Sequence, residues 1–159
     1  MVLLSVKAGL RAGQIANLSW DMLLEPTGHV GNTIELRDTA AKKRSGRVIP
    51  LHRELRQMLA AWLEITPGIG HVITSERGGP MRALSVVTWF AEAYRAIGLE
   101  GCSSHSGRRT FITRAARLAH KAGGSIRDVQ LLAGHRSIQT TQRYIDGDTD
   151  VQRRLVALI

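Results

Sequence analysis

The sequence contains a single cysteine among its 159 residues, and that scarcity excludes two kinds of stabilising site. Cys102 has no second thiol with which to form an internal disulfide or a thiolate metal site of the zinc-finger type. Long apolar runs are also lacking. The apolar stretch at residues 1–6 is short and is followed by a lysine, whereas a signal peptide has its basic residues first. We therefore expect a cytoplasmic protein without a membrane segment, a disulfide framework or a zinc finger.

Lysine is scarce as well, although the chain is strongly basic. The 22 basic residues comprise 18 arginines and 4 lysines, and with 13 acidic residues they give a net charge of +9. Residues 37–56 contain seven basic and two acidic residues, and residues 101–145 contain eight and one. Guanidinium groups bind phosphates through a fixed fork of donors. This distribution predicts a polyanionic partner, in the first place nucleic acid; the alternative from composition alone is a generally basic protein.

Neither low complexity nor an internal repeat interrupts the chain, and its 43% apolar and 22% charged residues are typical of one folded domain. Strands are predicted at residues 33–36 and 47–51, joined by a basic tip at residues 38–46, with a third strand at residues 72–74. Helical spacing covers residues 3–10, 51–63, 84–97, 104–121 and 126–132, and the last of these helices is predicted to bury Ile126, Val129, Leu131 and Leu132. The expected architecture is mainly α-helical with a small antiparallel hairpin, an α+β fold in one domain.

Four places in the sequence set a reactive or phosphate-binding side chain beside a glycine, a tight turn or a helix start. They are Gly9-Leu10-Arg11, the hairpin tip with Lys42, Lys43 and Arg44, the segment His105-Ser106-Gly107-Arg108-Arg109, and Gly134-His135 followed nine residues later by Tyr144. A helix N-terminus near His105 would add main-chain N–H donors for a phosphate. Each place alone also has an ordinary explanation, such as a solvated turn or helix surface.

These four motifs, in this order, resemble those of the tyrosine recombinases, also called phage integrases, over residues 3–145. The resemblance implies the fold of the recombinase catalytic domain, and it implies site-specific DNA recombination, in integration or excision, through a covalent 3′-phosphotyrosyl intermediate. Lys42 is preferred to Lys43 because the family lysine usually lies five residues before the residue that opens the next strand, here Arg47. The implied catalytic positions are Arg11, Lys42, His105, Arg108, His135 and Tyr144.

The implied roles agree with the chemistry of the arginine and tyrosine side chains. Arg11 and Arg108 suit the negative charge that develops on the non-bridging phosphate oxygens during attack. Tyr144 is the nucleophile that the resemblance implies, and the other tyrosine, Tyr94, lies on an apolar helix face, where a core position is expected.

The resemblance also implies the groups that move protons. Lys42 is the general acid for the leaving 5′-oxygen, and His105 and His135 hydrogen-bond the phosphate and assist proton transfer. No metal or other cofactor is implied, and the sequence offers no carboxylate cluster to hold a metal ion.

Double-stranded DNA is the implied partner. The resemblance also implies a homo-oligomer, a tetramer, on DNA, while the free protein could be a monomer. Basic residues beside the catalytic positions are expected to contact DNA: Lys43, Arg44, Arg109, Arg136 and Arg143. The tail at about residues 146–159 has the apolar spacing of a helix that docks on a neighbouring protomer, or equally of one that folds back on its own domain.

The sequence departs from the family pattern in three respects, one of which is Arg109 after the second arginine, where the family commonly has His and tolerates variation. Gln14 stands three residues after the first arginine, where the family usually has Glu, so an ion pair there would become a neutral hydrogen bond. Only ten residues precede Arg11, and we therefore expect a catalytic domain, residues 1–159, without the N-terminal DNA-clamping domain of the family. DNA affinity is then expected to be weak.

Two alternatives to a recombinase remain open at the level of sequence. One is a catalytically silent remnant or regulator that keeps the basic DNA-binding surface, although the intact set of six catalytic positions favours the enzyme. The other is a topoisomerase of the same chemistry, which would relax supercoils without exchanging strands between duplexes.

Overall fold

The computed structural model describes residues 1–37 and 46–144, together with residues 153, 156, 157 and 159. The fold is that of the expected class, mostly helical with one two-stranded antiparallel sheet in the described part of the chain. The chain divides into two units, Met1–Phe111 and Ile112–Ile159. None of the described helices is long and apolar enough to cross a bilayer.

Seven elements of the described residues lie wholly within the first unit. Helices α1 (Val2–Ala8) and α2 (Ala12–Ala16) are followed by a 3-10 turn at Trp20–Met22 and by strands β1 (Thr33–Leu36) and β2 (Arg47–Pro50). Helices α3 (Arg53–Leu63) and α4 (Ala83–Ala96) complete the set, and α5 (Ser106–Ala119) begins in this unit. The core of the unit takes buried side chains from each of the seven, among them Leu4, Ile15, Trp20, Ile34, Ile49, Leu55 and Phe90.

The hairpin predicted from the sequence is confirmed. Strands β1 and β2 pair antiparallel with Ile34 opposite Ile49 and Leu36 opposite Arg47. Side chains alternate between the two faces of a strand, so Ile49 is buried at 1% exposure while Val48 is 59% exposed. Arg47 therefore lies on the same face of β2 as the buried Ile49.

The predicted third strand at residues 72–74 is wrong. The segment is flanked by two isolated bridges, Ser19 with His71 and Thr74 with Pro80, and the Val72 N–H donates to the Leu18 carbonyl at 2.8 Å. Its partners are short loops, and a proline has no N–H to continue a ladder. Val72 is nevertheless buried at 2% exposure, and this accounts for its apolar, strand-like sequence.

The second unit contains the remainder of α5, a 3-10 turn at His120–Ala122, and helices α6 (Ile126–Ala133) and α7 (Ile138–Gln142). Ser125 caps α6, where the Asp128 side chain bonds back to the Ser125 N–H at 2.7 Å in a capping box. The predicted burial of Leu131 is wrong, because this side chain is 55% exposed. The buried face of α6 carries Val129 and Ala133, and a residue two positions after Val129 points to the opposite side of the helix.

Candidate active site

The first candidate motif forms the corner between α1 and α2. Helix α1 ends at Gly9 in the left-handed conformation, with φ of 62°, and the Gly9 and Leu10 N–H groups bond back to the last turn of the helix. Arg11 follows directly as the N-cap of α2 in an extended conformation. The corner thus fixes the backbone of Arg11 while its side chain stays half-buried.

Arg108 ties the third motif to this corner. It is 2% exposed, and its Nη1 donates a hydrogen bond to the Gly9 carbonyl, across 99 residues of sequence. A buried guanidinium is costly unless its donors are satisfied. The Arg108 side chain is therefore held at the corner that carries Arg11, and the two arginine motifs are brought together within one unit.

Two glycines permit this approach of α5 to α1. A Cβ on Gly9 would lie 2.4 Å from Cδ1 of Phe111, one turn beyond Arg108 on α5, and one on Gly107 would lie 2.5 Å from Oγ of Ser5. Neither position has room for a side chain. The glycines of the Gly-Leu-Arg and His-x-x-Arg motifs thus let the two backbones approach each other.

Gln14 makes a neutral hydrogen bond, as the sequence predicts, but to the main chain of Arg11. The Arg11 N–H donates to Oε1 of Gln14 at 3.1 Å, and the Gln14 side chain is only 2% exposed. The amide thus closes the start of α2 and supports the Arg11 backbone.

Arg47 is a further residue of this region that the motifs did not single out. Both terminal nitrogens of its guanidinium are buried. Burial, and then the nearby positive charge of Arg11, lower the pKa of Arg47 to about 10. Two adjacent guanidinium groups at a partly buried place repel each other and would be stabilised by an anion. The alternation of β2, which sets Arg47 on the face of Ile49, is the sequence signal that could have found it.

The second unit brings the fourth motif together with its tyrosine. Helix α6 ends at Gly134 in the left-handed conformation, and His135 follows at once. The imidazole ring of His135 stacks on the phenol ring of Tyr144, with centroids 5.6 Å apart and planes 20° apart. Nδ1 of His135 lies 3.0 Å from Oγ1 of Thr141, which is fully buried. Thr141 is a second residue that the motifs did not single out.

The remaining predicted residues lie on the surface or outside the described part of the chain. His105 is exposed immediately before α5, where its carbonyl accepts the Arg109 N–H at 2.8 Å. Arg109, Arg136 and Arg143 are exposed. Lys42, Lys43 and Arg44 fall in residues 38–45, which are outside the described residues, and so does most of the tail at residues 146–159.

Comparison with known proteins gives consistent results. The model of the phage integrase family matches residues 1–150. Tyrosine recombinase XerC of Methylobacterium nodulans is 30% identical over 144 residues, which cover 89% of this chain and 42% of the relative. The chain therefore spans less than half the length of that relative.

Solved structures share the fold. The crystal structure of XerA recombinase superposes with a TM-score of 0.74 at 20% identity, covering 98% of this chain and 55% of that one. A lambda integrase dimer bound to a core DNA site gives a TM-score of 0.68 at 24% identity, covering 91% of this chain and 50% of that one.

Proposed function

The chain belongs to the phage integrase family, whose model matches 150 of its 159 residues, and on that premise we propose that it is a tyrosine-type site-specific DNA recombinase. The proposed reaction is DNA strand cleavage and rejoining through a covalent 3′-phosphotyrosyl intermediate, in integration or excision. The similarity to XerC, which is named a tyrosine recombinase, supports this assignment. Residues 1–159 act in it as one catalytic domain.

The proposed cleavage step uses only side chains of the protein. The Tyr144 hydroxyl oxygen attacks the scissile phosphorus and forms a 3′-phosphotyrosyl ester, while the bond from phosphorus to the 5′-oxygen breaks. Lys42 gives a proton to the leaving 5′-oxygen, and His105 accepts the phenolic proton. Rejoining reverses these transfers: a 5′-hydroxyl attacks the ester, and Tyr144 leaves as a phenol.

The observation that carries the proposal is the hydrogen bond from Arg108 to the Gly9 carbonyl. It sets Arg108 beside the corner that presents Arg11, and a pair of guanidinium forks is what a pentavalent phosphate requires as negative charge develops on its oxygens. Arg47, whose terminal nitrogens are buried near Arg11, adds a third positive charge to the same region. We assign Arg11 and Arg108 to the scissile phosphate and Arg47 to the same phosphate or its neighbour.

His135 is assigned a hydrogen bond to the phosphate, next to the nucleophile on which its ring stacks. The exposed Arg109, Arg136 and Arg143 are assigned to the flanking DNA backbone, together with Lys43 and Arg44.

Double-stranded DNA is the proposed substrate and the cytoplasm the proposed location. The lambda integrase structure, a dimer on its core DNA site, supports DNA as the partner and assembly on it. We propose a tetramer on DNA, because exchange of strands between two duplexes needs four cleavages.

The test is a covalent-trapping assay. The full chain is incubated, without divalent metal, with a pool of nicked duplexes of different sequences. Protein–DNA adducts are then separated under denaturing conditions. Wild-type protein is expected to form an adduct that resists denaturant, whereas Tyr144→Phe forms none and still binds DNA. Tyr94→Phe is the matched control, since Tyr94 stacks on Phe90 in the first unit and is expected to leave adduct formation unchanged.

Adduct formation by Tyr144→Phe would disprove the assignment of the nucleophile. Retention of DNA binding without any wild-type adduct, repeated with an N-terminal DNA-binding domain fused to the chain, would instead identify a silent DNA-binding protein. Relaxation of one supercoiled circle without exchange between two duplexes would indicate a topoisomerase.

A further inference from the structure

A buried side chain of α7 contacts the imidazole of His135. Its Nδ1 lies 3.0 Å from Oγ1 of Thr141, six residues later on α7. Thr141 has 0% exposure, and a β-branched side chain in a helix has few accessible χ1 rotamers. The hydroxyl therefore meets the ring from a fixed position.

The main chain of His135 is fixed independently of that contact. Its N–H donates to the Gln130 carbonyl at 3.1 Å, and its carbonyl accepts from Nε2 of Gln130 at 2.9 Å. Gln130 is itself 3% exposed, and its Oε1 accepts from Nη1 of Arg127 at 2.8 Å. With the backbone held in this way, the contact with Thr141 acts on the rotation about the side-chain bonds of His135.

The direction of the Thr141 hydrogen bond decides the chemistry of the ring. A neutral imidazole carries one proton, so a hydroxyl that donates to Nδ1 places the ring proton on Nε2. Nε2–H is then a hydrogen-bond donor, as a group that binds a phosphate oxygen must be. The opposite direction, with Nδ1–H donating to the hydroxyl, would make Nε2 an acceptor that repels the same oxygen.

We propose that Thr141 is a positioning residue that donates to Nδ1 of His135 and so fixes the Nε2–H tautomer and the plane of the ring against Tyr144. The catalytic consequence rests on the proposed function, because it assumes that His135 binds the scissile phosphate. The tautomer itself belongs to the free protein and is measurable without DNA.

The first measurement is long-range 1H–15N correlation NMR of the histidine rings in the full chain at a pH where the ring is neutral. The His135 signals are identified by their loss in His135→Gln. Wild-type and Thr141→Ser protein are expected to show a pyrrole-type Nε2 and a pyridine-type Nδ1, whereas Thr141→Val shows a mixture of tautomers. Thr140→Val, an exposed neighbour on the same helix, is the matched control and should resemble wild type.

The second measurement is the rate of adduct formation on nicked DNA. Thr141→Val is expected to lower the rate about tenfold with DNA affinity unchanged, because valine lacks the hydroxyl. Thr141→Ser is expected to keep the wild-type rate, because serine retains it. The histidine spectra also report whether each variant is folded.

Three results would overturn the proposal: a wild-type ring protonated on Nδ1, an unchanged tautomer in Thr141→Val, or an adduct rate in Thr141→Val equal to that of wild type. Failure of the proposed function looks different, since wild-type protein would then form no adduct while the NMR measurement still identified the tautomer. In that case the catalytic role of Thr141 is refuted, and only its hydrogen bond to His135 and the tautomer that it fixes are supported.

Discussion

Replacing Arg47 by methionine should make the free protein more stable and its DNA complex weaker. Methionine keeps the apolar length of the side chain and removes the charge that lies buried beside Arg11. The lowering of the arginine pKa to about 10 in the fold corresponds to about 3 kcal/mol against keeping the guanidinium charged. Some packing is lost with the head group, so the expected gain in the free energy of unfolding is about 1–3 kcal/mol.

The sign of this effect sets its pH dependence. A cationic group whose pKa is lowered by folding destabilises the fold at every pH below the folded value, and the penalty disappears only as pH rises from about 10 towards the higher pKa of the unfolded chain. The difference between wild type and Arg47→Met should therefore be constant between about pH 7 and 9.

Urea unfolding followed by circular dichroism, in dilute buffer without phosphate or sulfate, measures the gain. Arg77→Met, at an exposed loop position, is the control and should change stability by less than about 0.5 kcal/mol. Added sulfate should stabilise wild type more than Arg47→Met, because the anion relieves the repulsion between Arg47 and Arg11. In DNA binding, the slope of log affinity against log salt should fall by about 0.9.

A loss of stability in Arg47→Met would refute this reasoning, since it would mean that the contacts of the guanidinium outweigh the cost of burying its charge. Equal salt slopes for the two proteins would separately refute a phosphate contact.

Three further predictions concern Gly9, Arg108 and Asp128. Gly9→Ala should destabilise the fold by about 2–4 kcal/mol in urea unfolding, because its Cβ meets Phe111 and its φ is positive, whereas Gly28→Ala, with positive φ but open space, should cost only about 1 kcal/mol. Arg108→Lys should slow adduct formation by about a hundredfold or more, because an ammonium cannot reproduce the fork; a rate near that of wild type would rule out a bidentate clamp. Asp128→Asn should lower stability at neutral pH and match wild type in acid, because hydrogen bonds from Ser125 lower the pKa of Asp128. The contribution of this carboxylate to stability is present above its unfolded pKa and is lost as pH falls through its folded pKa. Parallel curves of stability against pH for the two proteins would contradict this.

Local patterns were sufficient for the hairpin and for most helices. Strands β1 and β2 lie at the predicted residues because alternation and the basic, polar tip are properties of short segments. The apolar residues at 72–74 misled the strand prediction because burial and strand pairing are separate requirements. Val72 is buried and its N–H donates to the Leu18 carbonyl, but only isolated bridges form at His71 and Thr74, so no strand results.

Local motifs likewise predicted only part of the candidate site. Motif order identified the family and predicted Arg11, Arg108, His135 and Tyr144 as site residues, but it gave no reason to expect Arg108 to be buried, since arginines on helices are by default exposed. Its acceptor is a main-chain carbonyl 99 residues away, and only tertiary structure supplies it. Thr141 was missed for the same reason, because its partner is a ring nitrogen reached across the turn between α6 and α7.

The close approach of α5 to α1 has a consequence for how these sequences evolve. At Gly107 the space for a side chain is already filled by Ser5 Oγ, 2.5 Å from the ideal Cβ position, and Ser5 is itself fully buried. The two positions therefore share one fixed volume, and an enlargement at either has to be matched by a reduction at the other. Positions 5 and 107 should covary in side-chain size among functional relatives, although 102 residues separate them, and a two-site library selected for folding should return small–small pairs.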